Sequence, residues 1–274
     1  MADEDVTYWC EMAEAIAWRE MVAAIQEQGG ATLAPEWAEV GGAVAFALRG
    51  MDMPFFNRVV GLGIPRPATR EDVAQADAFF RGLGRDWSVV QLVEPTRPPE
   101  LVEWVEAAGW TRSKRWPKLW RTLGGELPEG RTDLRIELVG PDQSEDVGRI
   151  VTTAFEFDPA LAPFATATIG RPGWSHYLGF DGDTPVAAGA CFVTADVAWL
   201  GFGTTLESHR GRGGQSAMFA RRLADARTAG CRLAITETGE DTREEPNPSY
   251  RNMLRAGFEV AYVRQNWVRR PADA

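Results

Sequence analysis

Ala198-Trp199-Leu200-Gly201-Phe202-Gly203-Thr204-Thr205-Leu206-Glu207-Ser208-His209-Arg210-Gly211-Arg212-Gly213-Gly214-Gln215-Ser216-Ala217-Met218-Phe219 joins an apolar run to a glycine-rich turn and an amphipathic segment. The apolar run, with its aromatics and threonines, predicts a buried strand. Beyond the turn, Phe219, Ala220, Leu223 and Ala226 share one stripe, which predicts a helix opening at Gly214-Gln215-Ser216. Gly211, Gly213 and Gly214 stand where a helix N-terminus leaves backbone N–H groups unpaired. Without Cβ atoms the turn lets an anion reach the backbone, and the helix dipole favours negative charge there. Arg210 and Arg212 add guanidinium groups suited to phosphate. By its chemistry the turn is a pyrophosphate cradle.

Two common cradles are excluded. A Walker loop needs Gly-x-x-x-x-Gly-Lys-Ser/Thr, and the only lysines here are Lys114 and Lys118. A dinucleotide fingerprint places its first Gly directly after an early strand, whereas this turn comes late in the chain and beyond the strand end. The Arg-x-x-Gly-x-x spacing of residues 210–215, following an apolar strand, resembles the acyl-CoA loop of the GNAT superfamily of N-acyltransferases. The match runs almost position by position over residues 205–213. One position departs from it: the sixth, usually Gly or Ala, is Gln215, whose side chain must point away from the pyrophosphate unless the loop is remodelled.

A chain of 274 residues is comfortable for two domains, each with its own core. Apolar residues make up 45% and charged residues 25%, as in a soluble globular protein. No apolar run reaches the length of a membrane span. The acidic opening Met1-Ala2-Asp3-Glu4-Asp5 lacks the basic and apolar regions of a signal peptide, so a cytoplasmic setting is expected. Cys10, Cys191 and Cys231 have no metal-ligand spacing, and neither His176 nor His209 completes one, so no metal is expected. A net charge of −10 argues against nucleic acid as a partner. It suits a cationic or amine-bearing substrate, and serves equally to keep the protein soluble. A monomer and a homodimer are both compatible with this reading.

Along the chain, residues 6–28 carry a helical period, residues 38–48 read as a strand or hairpin arm, and residues 57–64, 87–93 and 115–123 read as strands. Thr69, with Asp72 three residues on, marks a helix start, and Pro98-Pro99 opens a helix that stops at Gly109. Strands follow at 134–138, 174–180, 185–193, 232–238 and 258–268. Helices are expected from Pro141 to about Phe155, in the cradle helix, and from Pro248 to Gly257; residues 157–169 read as a short helix or lid.

A repeat is visible. Residues 101–110 parallel 249–258 at an offset of 148 residues, the distance from Gly109 to Gly257. The chain therefore divides into 1–125, a Gly, Pro and charge-rich linker at 126–133, and 134–274, as in tandem-domain GNAT proteins. The resemblance implies an α/β (α+β) fold: two GNAT-like domains, each a mixed, mostly antiparallel sheet flanked by helices, with a splayed strand pair in the C-terminal copy. In place of the cradle, the first half has Ile64-Pro65-Arg66-Pro67-Ala68-Thr69-Arg70. Its two prolines remove donors and restrict the backbone, so this copy is expected to be degenerate.

The resemblance implies acetyl-CoA as acyl donor and direct transfer to the amine of a small molecule or peptide within a ternary complex. The pantetheine arm would lie in the splay, bonded near Thr204, Thr205 and Leu206. The pyrophosphate would rest on amides from Gly211 to Ser216, beside Arg210, Arg212, Gly213, Gly214 and Gln215. An alkyl amine is about one part in 10³ free base at neutral pH, so a proton acceptor is required. Glu237, on the strand expected across the splay, is the first candidate; His176 and Asp196 follow. Glu207 and His209 read as solvated turn residues. The Tyr that usually protonates the departing thiolate would fall at Met253, and Tyr250, nearly a turn earlier, is the alternative. Asn247, Ser249 and Asn252 offer further polar contacts to CoA. A GNAT-shaped module that binds CoA without catalysis, and transfer to a protein N-terminus or lysine, are the competing readings.

Overall fold

A computed structural model describes residues 3–51, 53–85 and 87–270. The chain forms two compact units, and neither is a continuous half of the sequence. The first holds residues 1–118, 237–240 and 260–274; the second holds residues 119–236 and 241–259.

In chain order, the first half supplies α1 (Asp3–Glu27), β1 (Pro35–Val40), β2 (Ala43–Leu48), β3 (Asn57–Val60), α2 (Arg70–Gly82), β4 (Ser88–Leu92), α3 (Leu101–Ala107) and β5 (Thr111–Thr122). The second supplies β6 (Arg135–Val139), α4 (Ser144–Ala154), α5 (Pro163–Thr166), β7 (Trp174–Asp181), β8 (Thr184–Thr194), β9 (Val197–Thr205), α6 (Gly214–Thr228), β10 (Leu233–Glu237), α7 (Pro248–Arg255) and β11 (Glu259–Arg269). The segment 38–48, expected as a strand or hairpin arm, lies in a hairpin, β1 and β2, closed by Gly41 and Gly42 with φ of +62° and +83°. Only residues that tolerate positive φ close so tight a turn.

In the first unit β1, β2 and β3 pair antiparallel, β3 and β4 pair parallel, and β11 lies antiparallel to β4. The strand expected to close the second half therefore closes the first unit. Residues 119–122 of β5 belong in turn to the second unit, whose strand order is β5, β10, β9, β8, β7, β6. There β6 to β9 form an antiparallel meander, and β9 and β10 run parallel. The repeat is real at the level of elements: α3 and α7 both lead through a positive-φ glycine into a long strand.

Each unit has its own apolar core. Val59, Val73, Phe80, Val90, Leu101, Val105, Trp110 and Trp267 pack together in the first. Leu119, Tyr177, Leu200, Met218, Phe219, Leu223, Met253 and Phe258 do so in the second. Residues 126–133, expected to be a spacer, are docked: Leu127 packs on the second core and Thr132 Oγ1 donates to the Arg212 carbonyl at 2.7 Å. Among the described residues no helix is long and apolar enough to cross a membrane, and no group of three or more His, Cys, Asp and Glu could hold a metal ion.

The first unit also buries charge. The apolar stripe of α1 carries Glu11 and Glu14 into the interior, both with no solvent exposure. Glu14 meets Arg264 and Lys118, each at 2.7 Å, and Arg58 at 3.5 Å. Lys118 reaches Glu237 at 2.9 Å, and Glu11 takes Arg264 at 3.2 Å and the Tyr262 hydroxyl at 2.6 Å. Glu11 and Glu14 thus face three cations out of water, with the partly exposed Glu237 at the margin, the condition under which buried charge is tolerated.

Candidate functional site

The second unit's parallel pair opens as it runs. β10 stays in register with β9 at Leu233↔Val197, Ala234↔Ala198 and Ile235↔Trp199 only, and Thr236 Oγ1 bonds the Leu200 carbonyl at 3.0 Å. Among the described residues β9 continues to Thr205 without a strand partner on that edge, while its other edge stays on β8. Thr204 and Thr205 lie opposite Ala188 and Ala187, and Leu206 N donates to the Val186 carbonyl at 2.9 Å. The open edge over these residues carries backbone groups that an extended amide-bearing ligand can pair with.

At the end of β9 the chain makes a 3-10 turn over Glu207–His209 and enters the glycine loop. Arg210 N donates to the Glu207 carbonyl, and the next loop amide with an acceptor is Ala217 N, on Gly213 O at 3.0 Å. Among the described residues the N–H groups of Gly211, Arg212, Gly213, Gly214, Gln215 and Ser216 have no acceptor, so the start of α6 is uncapped by side chains. Gly213 is the N-cap with φ of +76°, and a methyl there would lie 2.1 Å from the Arg131 carbonyl oxygen. Only glycine fits.

The two arginines of the loop part company. Arg210 is exposed, its Nε on the Thr205 carbonyl at 3.3 Å, and has no carboxylate partner among the described residues. Arg212 is clamped between Asp181, at 2.6 Å, and Asp133. Those hydrogen bonds hold both carboxyls below the usual range and raise the guanidinium. Arg212 therefore offers its amide, with its charge already matched. Asp133 and Asp181 lie far from it in sequence and carried no signal. Gln215 turns toward α7, where Asn252 Nδ2 donates to it and its own Nε2 reaches Ser249 Oγ at 3.3 Å. The side chain points away from the loop amides, as the substitution at the sixth position requires. Asn247 caps α7, accepting from the Ser249 and Tyr250 amides at 3.0 and 3.2 Å. Tyr250 is half-buried against the second core, and Met253 lies inside it.

The candidate proton acceptors separate as well. Glu237 is the last residue of β10, two beyond the last pair with β9, and its carboxylate holds Lys118. Asp196 sits before the start of β9 and pairs with Arg232; at ~3.3 Å per residue it lies roughly 30 Å along the strand from its loop end. His176 is buried beside Thr168 Oγ1 at 3.2 Å, and burial pushes it down to about 4. It is neutral in the folded protein and is not a base poised near pH 7. The unfolded chain takes up a proton near pH 6.5 that the folded one refuses until about pH 4. Stability is therefore complete above about pH 6.5 and declines as pH falls between the two, by up to about 3 kcal/mol. Urea unfolding at pH 7 and 5.5 should show the first part of this decline, and His176→Gln should remove it.

Among the described residues the first unit has no counterpart of this loop. Thr69 and Asp72 form a capping box at the start of α2, with Asp72 Oδ2 on Thr69 N at 2.7 Å. Arg66 closes on the same carboxylate at 2.9 and 2.8 Å. The protein's own carboxylate fills the anion position there.

The sequence matches no protein-family model and no curated protein. Solved structures do resemble it. A GCN5-related N-acetyltransferase from Kribbella flavida is 24% identical with a TM-score of 0.61, over 94% of this chain and 97% of that one. A tandem GNAT protein from the clavulanic acid biosynthesis pathway, solved without acetyl-CoA, is 18% identical with a TM-score of 0.59, over 84% and 80% of the two chains. A GCN5-related N-acetyltransferase from Sphaerobacter thermophilus is 16% identical with a TM-score of 0.57, over 84% and 81%. At such identities the likeness establishes the fold.

Proposed function

From the tandem GNAT fold, we propose that the chain is an acetyl-CoA-dependent N-acyltransferase, its donor site in the second unit and its first unit a copy without a cradle. The observation that carries this reading is the strand gap after Trp199–Ile235, leading into a loop whose consecutive amides are unpaired. The pantetheine arm would pair with the free edge near Thr204, Thr205 and Leu206. The pyrophosphate would sit on the 211–216 amides with the Arg210 guanidinium beside it. An amine then attacks the thioester carbonyl directly. Within the proposal Glu237 accepts the ammonium proton and Tyr250 protonates the leaving thiolate. The acceptor is a small-molecule amine, drawn in by the acidic protein, with a peptide amine as the variant.

Acetyl-CoA at 100 times its Kd should stabilise the protein by about 2.7 kcal/mol, raising Tm by roughly 5–10 °C. Thiol release from acetyl-CoA against a panel of amines tests turnover. The second reading, a CoA-binding module without catalysis, is favoured by one observation: Met253, buried in the core, stands where the acid Tyr belongs. A Tm rise with no thiol release above hydrolysis would select it.

A further inference from the structure

Arg222 is the odd residue of α6. It lies on the helix's apolar stripe, one turn from Phe219, and is 1% exposed. Its Nη1 donates to the carbonyls of Ala190 and Gly201, each at 3.1 Å, and its Nε to the Met218 carbonyl at 3.2 Å. Its Nη2 has no partner, and among the described residues no carboxylate faces it. The Phe219 ring, 4.9 Å from the guanidinium carbon, is its nearest favourable neighbour by charge. Burial pulls the guanidinium down to about 10, so it stays charged at neutral pH. Glycines make room for it: a methyl on Gly203 would lie 3.1 Å from Nη2, and one on Gly189 3.3 Å from Cζ.

The place it occupies is the irregular point of β9. Register with β8 passes from Ala190↔Gly201 to Ala188↔Thr204, so β9 has an extra residue there. Phe202 takes φ of +55°, which turns the neighbouring peptides out of the pleat. Register with β10 has already ended at Trp199, so among the described residues Phe202 has no ladder partner on either side, while Gly201 keeps Ala190 on the β8 side. An arm laid along the open edge from Leu206 back up the strand passes Thr205 and Thr204 and then reaches the Gly201–Phe202 peptide. A charged donor on a carbonyl polarises the N–H of the same peptide group, because hydrogen bonds in a chain reinforce one another. An uncompensated buried guanidinium is costly, and an apolar side chain of equal size would avoid that cost.

We propose that Arg222 is a positioning residue for acyl transfer: by gripping the Gly201 carbonyl it makes the Phe202 N–H a charge-assisted donor to the thioester oxygen. The proposal rests on the acyl-CoA reading above. In the step it serves, the amine nitrogen forms a bond to the acyl carbon while the carbonyl π pair moves onto oxygen. That pair then returns, the C–S bond breaks, CoA leaves as thiolate, and the ammonium proton passes to the base. The negative oxygen is what the polarised N–H would stabilise.

The test uses acetyl-CoA carrying ¹³C at the acetyl carbonyl, whose stretch is read by isotope-edited infrared spectroscopy on the full chain, beside the Tm shift. Wild type should bind and move the band to lower wavenumber. Arg222→Gln keeps donors for both carbonyls without the charge; it should bind acetyl-CoA equally well and return the band to its free position. Arg222→Lys keeps the charge and should retain part of the displacement. With hydroxylamine as acceptor, Arg222→Gln should release thiol about tenfold or more slowly at unchanged KM for acetyl-CoA. A folded Arg222→Gln with the wild-type band, or a folded Arg222→Lys with the free one, overturns the proposal. Wild type that binds without displacing the band also overturns it. Wild type with no Tm shift removes the acyl-CoA reading itself, an outcome set apart because it needs no variant.

Discussion

Replacing Glu14 by glutamine is expected to lower stability by roughly 3–5 kcal/mol, the range seen when one member of a buried ion pair is removed. The reason is the company it keeps. Arg264, Lys118 and Arg58 converge on this one carboxylate, and Glu14, Arg264 and Lys118 are fully buried. Glutamine preserves the shape but leaves the cations short of one negative charge where water cannot replace it. The three guanidinium and ammonium groups hold the Glu14 carboxyl far below its ordinary value, against the burial that would raise it. A carboxyl depressed in the folded state contributes its full stability above the unfolded value, near pH 4.5, and loses it as pH falls further. Urea unfolding at pH 7 should therefore show the loss, and the gap between wild type and Glu14→Gln should narrow below pH 4. The pair Glu14→Gln with Lys118→Met should cost less than the two single changes summed, because each partner's charge is the other's penalty. A change of under 1 kcal/mol at pH 7 would contradict this account of the first unit.

The second large effect is on ligand binding. Gly211→Asp should abolish the acetyl-CoA-induced rise in Tm, leaving less than about 1 °C of the roughly 5–10 °C expected of wild type. Gly211 is the position to change because a side chain there meets nothing within 4 Å, whereas one at Gly213 would strike the Arg131 carbonyl. Its φ of +81° is one that Asp and Asn adopt more readily than other residues. A carboxylate at that point would lie about 4 Å from a diphosphate seated on the loop as proposed, a repulsion on the order of 3–4 kcal/mol near a protein surface. Gly211→Asn, of the same shape and uncharged, should keep most of the shift and so isolates charge from strain. Retention of the full shift by Gly211→Asp would remove the diphosphate from this loop.

Much of the fold was legible in residue order because it follows from local rules. The strand, turn and helix of residues 198–219, the Thr69 and Asp72 cap and the proline-led helices all depend on neighbours within a few positions, and the 148-residue repeat shows because each copy carries the same local pattern. The unusual Gln215 likewise required either a side chain turned away or a remodelled loop, and the side chain turns toward Ser249 and Asn252.

What residue order determined, then, is which segments are strands and helices and where a bare, glycine-rich helix start stands; backbone sterics and apolar period suffice for that. Only the tertiary structure decided which unit each closing strand joins, that Arg212 spends its charge on Asp133 and Asp181, and that Glu237 holds Lys118. It alone also placed a lone guanidinium behind the irregular point of β9. Charges pair with whatever the fold carries to within a few ångströms, and separations such as the 79 residues between Asp133 and Arg212 leave no periodic trace in the chain.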